Sequence, residues 1–157
     1  MNLARAIHFD ESDMNVYHVP ARTGEWCIPG GFEFSDWSDG DLVGKARQAF
    51  TNGWLGLDTF GRVTFVAVTR IEPAEREALV EALADHFVQM HGAPSREAAY
   101  PVATQEVDAM IDLCDGVDPN RVITVARELG EAGVRETFRI LEARDADLAQ
   151  VAVHGEE

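Results

Sequence analysis

The sequence predicts an α+β domain with a mainly antiparallel sheet and about four helices. Three observations predict it. Strand-like alternation gathers near the two ends of the chain, helical periodicity fills the middle, and no repeat, linker or low-complexity tract divides the 157 residues. Early and late strands around a helical centre fit α+β better than a doubly wound α/β sheet, in which the two alternate. A chain of this length suits a single domain, which buries roughly 68–70% of its unfolded surface and needs no staple to fold.

Each element follows from a change of period. RAIHF (5–9) and VYHV (16–19) alternate like short strands joined by the acidic loop DESDMN. EWCI and GFEF flank a Pro-Gly pair. Ser38 and Asp41 form a capping-box pattern opening a helix with Leu42, Val43, Ala46 and Phe50 on one side and Gly53 at its end. RVTFVAVTRI (62–71) is the strongest strand, apolar on both faces like a central strand. Pro73 suits the first turn of a helix running to about His91, with Leu79, Leu83, Phe87 and Met90 inward and Gly92 beyond. In the next helical block Pro101 should break or start the helix, and Val107, Met110, Ile111 and Cys114 make the inner stripe. Asp118-Pro119 reads as the cap and first turn of a helix carrying Val122, Val125, Ala126 and Leu129 and ending near Gly133. VRETFRIL reads as a strand, and QVAVH as a candidate last one.

Charge excludes several functions. Thirteen basic against 28 acidic residues give a formal charge of -15, and no basic stripe interrupts it. Nucleic acid and anionic membrane are therefore poor partners, because both are bound largely through Lys and Arg. The N-terminal MNLARAIHFDESD has no apolar signal-peptide core, and no apolar run approaches the roughly 20 residues of a membrane span. Cys27 and Cys114 are too few for a disulfide framework and form no Cys-x-x-Cys, so a cytoplasmic protein with reduced thiols is expected, with a single bridge between the two as the open alternative.

The most informative stretch is EWCIPGGFEFSDW, residues 25–37. Pro29 presets φ and Gly30 permits positive φ, the chemistry of a type II turn. The competing reading makes Gly30 and Gly31 a close approach for a ligand lined by Trp26, Phe32 and Phe34. The candidate binding residues are Trp26, Cys27, Gly30, Gly31, Phe32, Phe34 and Trp37. The bland alternative is that the rings cover the sheet and pack under the following helix.

Pro-Gly-Gly after an aromatic residue, followed by ARQAFTNGWLGL, resembles the framework of the Nudix hydrolases. That resemblance implies a helix whose Arg-Glu and Glu-Glu carboxylates hold a catalytic magnesium. Aligning Arg47 with the motif arginine puts Gln48 in the place of its glutamate and Thr51 and Asn52 in the place of the metal-binding pair. Counting forward from Gly31 instead puts the first glutamate on Trp37. Neutral side chains do not replace anionic ligands for a hard divalent cation, so Nudix activity is rejected and no residue role carries over. Over nearly the whole chain, RAIHFDESD, IPGGFEFSD and ARELGEAGVRE resemble the recurring segments of a small bacterial protein family of unknown function. This implies no activity.

Other groupings point to no chemistry by spacing. His8, His18 and Cys27 lie near Asp10, Glu11 and Asp13 without a metal-binding spacing, and DESDMN lacks the glycine and terminal glutamate of an EF-hand. His86 and His91 are five apart, outside the i, i+3 or i, i+4 relation, and read as structural. No nucleophile elbow, P-loop or His-Glu-x-x-His occurs. The expectation is a binding or accessory protein without metal or cofactor, acting through the aromatic and acidic surface of residues 26–37 on a protein partner, a second copy of itself or a small molecule. The alternative is a small hydrolase or cofactor-modifying enzyme using Cys27 or a nearby carboxylate.

Overall fold

A computed structural model describes residues 1–9 and 15–141. Its strands are β1 (Asn2–Ile7), β2 (Trp26–Ile28), β3 (Trp54–Gly56), β4 (Arg62–Val63), β5 (Phe65–Arg70), β6 (Val122–Gly130) and β7 (Gly133–Ile140). Its helices are α1 (Gly44–Asn52), α2 (Pro73–Met90) and α3 (Arg96–Cys114). All seven strands join one sheet in the order β4-β3-β2-β1-β5-β6-β7, every ladder antiparallel. The α+β class holds, with three α-helices among the described residues rather than about four.

The valine-rich run expected as one strand is two. Thr64 alone separates β4, which pairs with β3, from β5, which pairs with β1. The bend carries one chain from the end of the sheet to its interior, so β1, β2, β3 and the β4–β5 segment close into a circuit. Such corners are made where a strand bends from one set of partners to another. A 2.7 Å hydrogen bond between the Tyr17 hydroxyl and Thr64 Oγ1 ties the corner. The outer side of β4 is covered by residues 19–21: Arg62 N donates to the Val19 carbonyl and Ala21 N to the Arg62 carbonyl, each at 2.8 Å. VYHV is therefore not a strand.

The expected helix over 118–133 is also overturned. Val122, Val125, Ala126 and Leu129 lie on β6, which pairs with β5 through Ile123 and Val122 and with β7 along its length. Helical spacing was present, but the consecutive β-branched residues Val122, Ile123, Thr124 and Val125 favour an extended chain once two neighbours offer hydrogen bonds. Asn120 at φ 73 stops the turn after Asp118-Pro119 from entering a helix. VRETFRIL falls on β7 as expected, while QVAVH and Asp10, Glu11 and Asp13 lie outside the described residues.

The helices follow their signals except at their ends. The capping box of Ser38 and Asp41 forms, but it caps only a 3-10 turn over Asp39–Asp41, because Leu42 and Val43 leave helical geometry before α1 begins. In α2, Pro73 opens the helix behind a Glu72–Glu75 box, and Val80, Leu83, Ala84 and Phe87 are buried. Met90, expected inward, is 69% exposed because the helix ends there. Ser95 caps α3 by accepting from Ala98 N at 3.0 Å. Pro101 sits inside α3 without breaking it, since burial of Ala99, Ala103, Val107, Met110 and Cys114 outweighs one lost backbone bond. Helices α2 and α3 pack together, α3 lies across β1 and β2, and α1 rests on β6 and β4.

Candidate functional site

Two buried arginines decide what the Pro-Gly-Gly does. Arg62, on β4, donates from Nη1 to the carbonyls of Pro29 and Gly53, each at 3.1 Å, and from Nη2 to the Gly30 carbonyl at 3.0 Å. Arg127, on β6, donates to the carbonyls of Phe50 at 2.9 Å, Gly53 at 2.8 Å and Pro29, and holds Glu136 at 2.8 Å. Together they bind the loop carbonyls and those of Phe50 and Gly53 at the end of α1, where a helix otherwise leaves carbonyls unpaired and electronegative. Phe34 lies beneath both guanidinium groups, with ring centres 4.5 Å and 5.1 Å from their carbons. Gly30 has φ 67, and a Cβ there would stand 2.5 Å from Leu55 Cβ. The stretch is thus a clamped turn whose first glycine is obligatory.

The turn leads directly into a short 3-10 segment, Gly31–Phe34, and this aims Glu33 at α2. One Glu33 carboxylate oxygen pairs with Arg62. The other, Oε2, lies 3.4 Å from Nε2 of both His86 and His91. A continuous helix sets residues five apart at about 140° to one another. His91, however, caps α2 with non-helical φ -124 and ψ 14, and that swings its ring back beside His86, ring centres 5.1 Å apart. The spacing argument that separated the two histidines fails because the helix ends between them. Glu33, His86 and His91 each offer a ligand atom within 4.8 Å of the others.

The surrounding rings fix this cluster. Phe60 stacks on His86 at 3.8 Å with planes 3° apart, and Phe32 meets Phe87 and His91 edge-on at 4.8 Å and 5.4 Å. Phe60 adopts φ 55, an uncommon conformation for a bulky residue. Buried Glu25 supports it by binding the backbone N–H groups of Asp58 and Thr59, each at 3.0 Å, and the Thr59 hydroxyl at 2.7 Å. Burial pushes the Glu33 carboxyl up, but Arg62 and His86 outweigh it and hold it below its usual range. Burial pulls His86 below its usual value against the opposing pull of Glu33, which favours the neutral imidazole. Burial also takes Arg62 down to about 10, opposed by Glu33, so the guanidinium stays charged near neutrality.

Beside the cluster opens a cleft of about 440 Å³ between residues 17–19, the 3-10 segment and α1. Of the sequence-derived candidates, Phe34 and Trp37 line it, together with Glu33, Phe60, Arg62 and His91. Phe34 is only 3% exposed, and both it and Trp37 pack on Phe50 of α1. Phe32 lies behind the cluster. Trp26 is elsewhere, under the Arg5 guanidinium at 4.1 Å. Cys27 is wholly buried on β2, and burial, reinforced by Glu25, raises its thiol well above the usual value, so the nucleophile of the enzymatic alternative is not presented here. Gly31 abuts Glu136. Among the described residues His8 and His18 share no metal-binding group, and His8 Nε2 donates to the Ala21 carbonyl at 2.9 Å. Sequence reasoning missed Glu33, Arg62, Arg127, Phe60 and Lys45. Only Glu33 carried a signal, as the acid inside the aromatic stretch.

Fold and site together define a small α+β protein with one antiparallel sheet and an aromatic-walled cleft. Its sequence matches, over residues 1–157, the family described as a family of unknown function (DUF6505), and the chain belongs to that family. No curated protein and no solved structure matches it. Among the described residues, no helix is long and apolar enough to cross a membrane.

Proposed function

We propose that this chain is a binding protein that holds a small planar anion in the cleft beside Glu33–Trp37. The carrying observation is the composition of the cleft. Its volume of about 440 Å³ suits a small molecule, and Phe34, Trp37 and Phe60 supply flat walls. In a chain of formal charge -15, its lining carries, among the described residues, a single acid, Glu33, already paired with Arg62. Lys45 and His18 remain on the walls as groups that favour a carboxylate or similar anion. This narrows the expected aromatic surface to a cleft and keeps Phe34 and Trp37 from it. Catalysis through Cys27 is not supported by a buried, protonated thiol.

The test is amide NMR with a panel of aromatic carboxylates, the matching amines and the neutral amides. The carboxylates should shift resonances of residues 33–49, and Lys45→Glu should weaken them at least about tenfold, the size of one charge-assisted contact. Equal shifts from amines and carboxylates, or none in this segment, would refute the reading.

A further inference from the structure

We propose that Glu33, His86 and His91 form a binding site for a divalent transition metal, zinc by ligand chemistry, with Glu33 Oε2 and the two imidazole nitrogens as protein ligands. Two histidines and one carboxylate are a zinc ligand set that leaves a fourth position open. The two Glu33 distances suit it, and all three ligand atoms lie within 4.8 Å of one another. Ligands about 2.1 Å from a tetrahedral centre stand about 3.4 Å from one another, and both Glu33–His separations are 3.4 Å. Without metal, His86 Nε2 donates a hydrogen bond to Glu33 Oε2 over the same 3.4 Å.

The supporting contacts fit a site built to hold its ligands still. Arg62 occupies the other oxygen of Glu33, fixing the carboxylate, as ligating carboxylates are usually fixed by an outer hydrogen bond. Phe60 covers one face of His86, and its left-handed backbone is a strain that an ordinary loop has no need to keep. Phe32 lies edge-on to His91. The positive charge of Arg62 opposes a cation. It is offset by the Glu33 carboxylate and by its own salt-bridged and carbonyl-bound position, and the metal faces Oε2 rather than the guanidinium. Because Glu33 and His91 also line the cleft, the open coordination position lies at its wall. The inference replaces the expectation of no metal, and it stands whether or not the cleft takes an anion.

The experiment titrates zinc sulfate, and separately cobalt chloride, into tag-free protein stripped with chelator. Calorimetry follows the zinc, visible absorption the cobalt and a thermal melt the stability. One zinc per chain is expected, with a melting temperature that rises with free zinc and cobalt bands of tetrahedral intensity. His91→Asn is the key variant, since His91 follows the last turn of α2 in non-helical geometry and is the most exposed ligand, at 30%. It should keep the metal-free melting temperature within a few degrees while weakening zinc at least about tenfold, and Glu33→Gln should do likewise. Absence of stoichiometric binding would overturn the site. So would zinc binding by His91→Asn and Glu33→Gln as tight as by the native chain, which would assign the metal to scattered surface carboxylates. The anion reading is tested separately, through Lys45→Glu in the presence of chelator, so either proposal can fail alone.

Discussion

Glu25 and Glu33 are eight positions apart in the sequence and both are largely withdrawn from water, yet they sit in opposite chemical situations. Glu25 is 8% exposed and filled: the backbone N–H of Arg22, the N–H groups of Asp58 and Thr59 and the Thr59 hydroxyl all converge on it. Gly56 lies against it with no room for a Cβ. Glu33 has one oxygen committed to Arg62 and one facing two imidazoles at 3.4 Å, on the wall of a cleft. The difference teaches that a buried acid is not by itself a site. A carboxylate whose acceptors are all taken by backbone and hydroxyl donors holds the loop, while one whose second oxygen is shared between two imidazoles, themselves metal-ligating groups, is available for chemistry.

The harshest way to break the comparison is to remove the group on which Glu33 and the clamped turn both lean. Arg62→Ala takes the donor from the carbonyls of Pro29, Gly30 and Gly53 and strands Glu33 without its cation. Removing one partner of a buried pair costs roughly 3–5 kcal/mol. Urea unfolding should show a loss of that size; a loss below about 1 kcal/mol, as for a surface pair, would mean that the clamp is not what holds the loop.

The next step tests the acids against each other. In Glu25→Gln the new amide nitrogen must face N–H or O–H donors whichever way it turns, since both oxygens accept from them. A stability loss of about 2–3 kcal/mol is expected, with zinc binding unchanged. Glu33→Gln should cost less, because its remaining carbonyl oxygen can still accept from Arg62, and should lose zinc. If the two variants were alike in both stability and metal binding, the distinction between a filled and an available carboxylate would collapse.

A smaller effect separates the two glycines. Gly30→Ala meets Leu55 Cβ at 2.5 Å from a left-handed backbone, so the cost should exceed about 1 kcal/mol. Gly31→Ala meets the tip of the Glu136 side chain at 2.5 Å, which can swing away, so it should cost less. Thermal melts of the two variants give the order directly; the reverse order would show that the Arg127–Glu136 pair is the tighter constraint.

How far the sequence reveals this molecule depends on whether an interaction has a local pattern. β7 and α2 and the antiparallel class have one, in the alternation of VRETFRIL and in Pro73 with its apolar helical spacing. The corner at Thr64 has none, because Val63 before it and Phe65, Val66, Ala67 and Val68 after it read as one apolar strand. In β6 the pattern misleads, as Val122, Val125 and Leu129 satisfy a helical period and only the partners on either side decide for a strand. Legibility of the site is poorer still. No local pattern marks Arg127, yet its side chain is fully buried against carbonyls of residues 29, 50 and 53. The cluster was within reach of the residues singled out, since Glu33 lies in the aromatic stretch and both histidines were considered, but the helix end that unites them is a matter of one residue's dihedral angles.

Glu106 supplies a third acid and the smallest test. It lies half-buried on α3, and burial, with the Glu136 carboxylate adding to it, raises its pKa above the usual glutamate value. Nothing among those causes lowers it, in contrast to Arg62 for Glu33. A folded pKa above the unfolded one means that the native state binds the proton more readily. Its stabilising contribution is therefore complete below the unfolded pKa and is lost as pH rises through the folded one. Glu106→Gln keeps the shape and removes the charge, so at neutral pH it should stabilise the protein, by less than about 1 kcal/mol at a partly solvated site. The gain should shrink as pH falls toward 4.5, the ordinary glutamate value, where the native carboxyl takes up its proton and resembles the amide. Urea unfolding of both proteins at neutral and mildly acidic pH reads it. A loss of stability at neutral pH would show that the Glu106 carboxylate has a stabilising partner, and would place it with Glu25 among the filled acids.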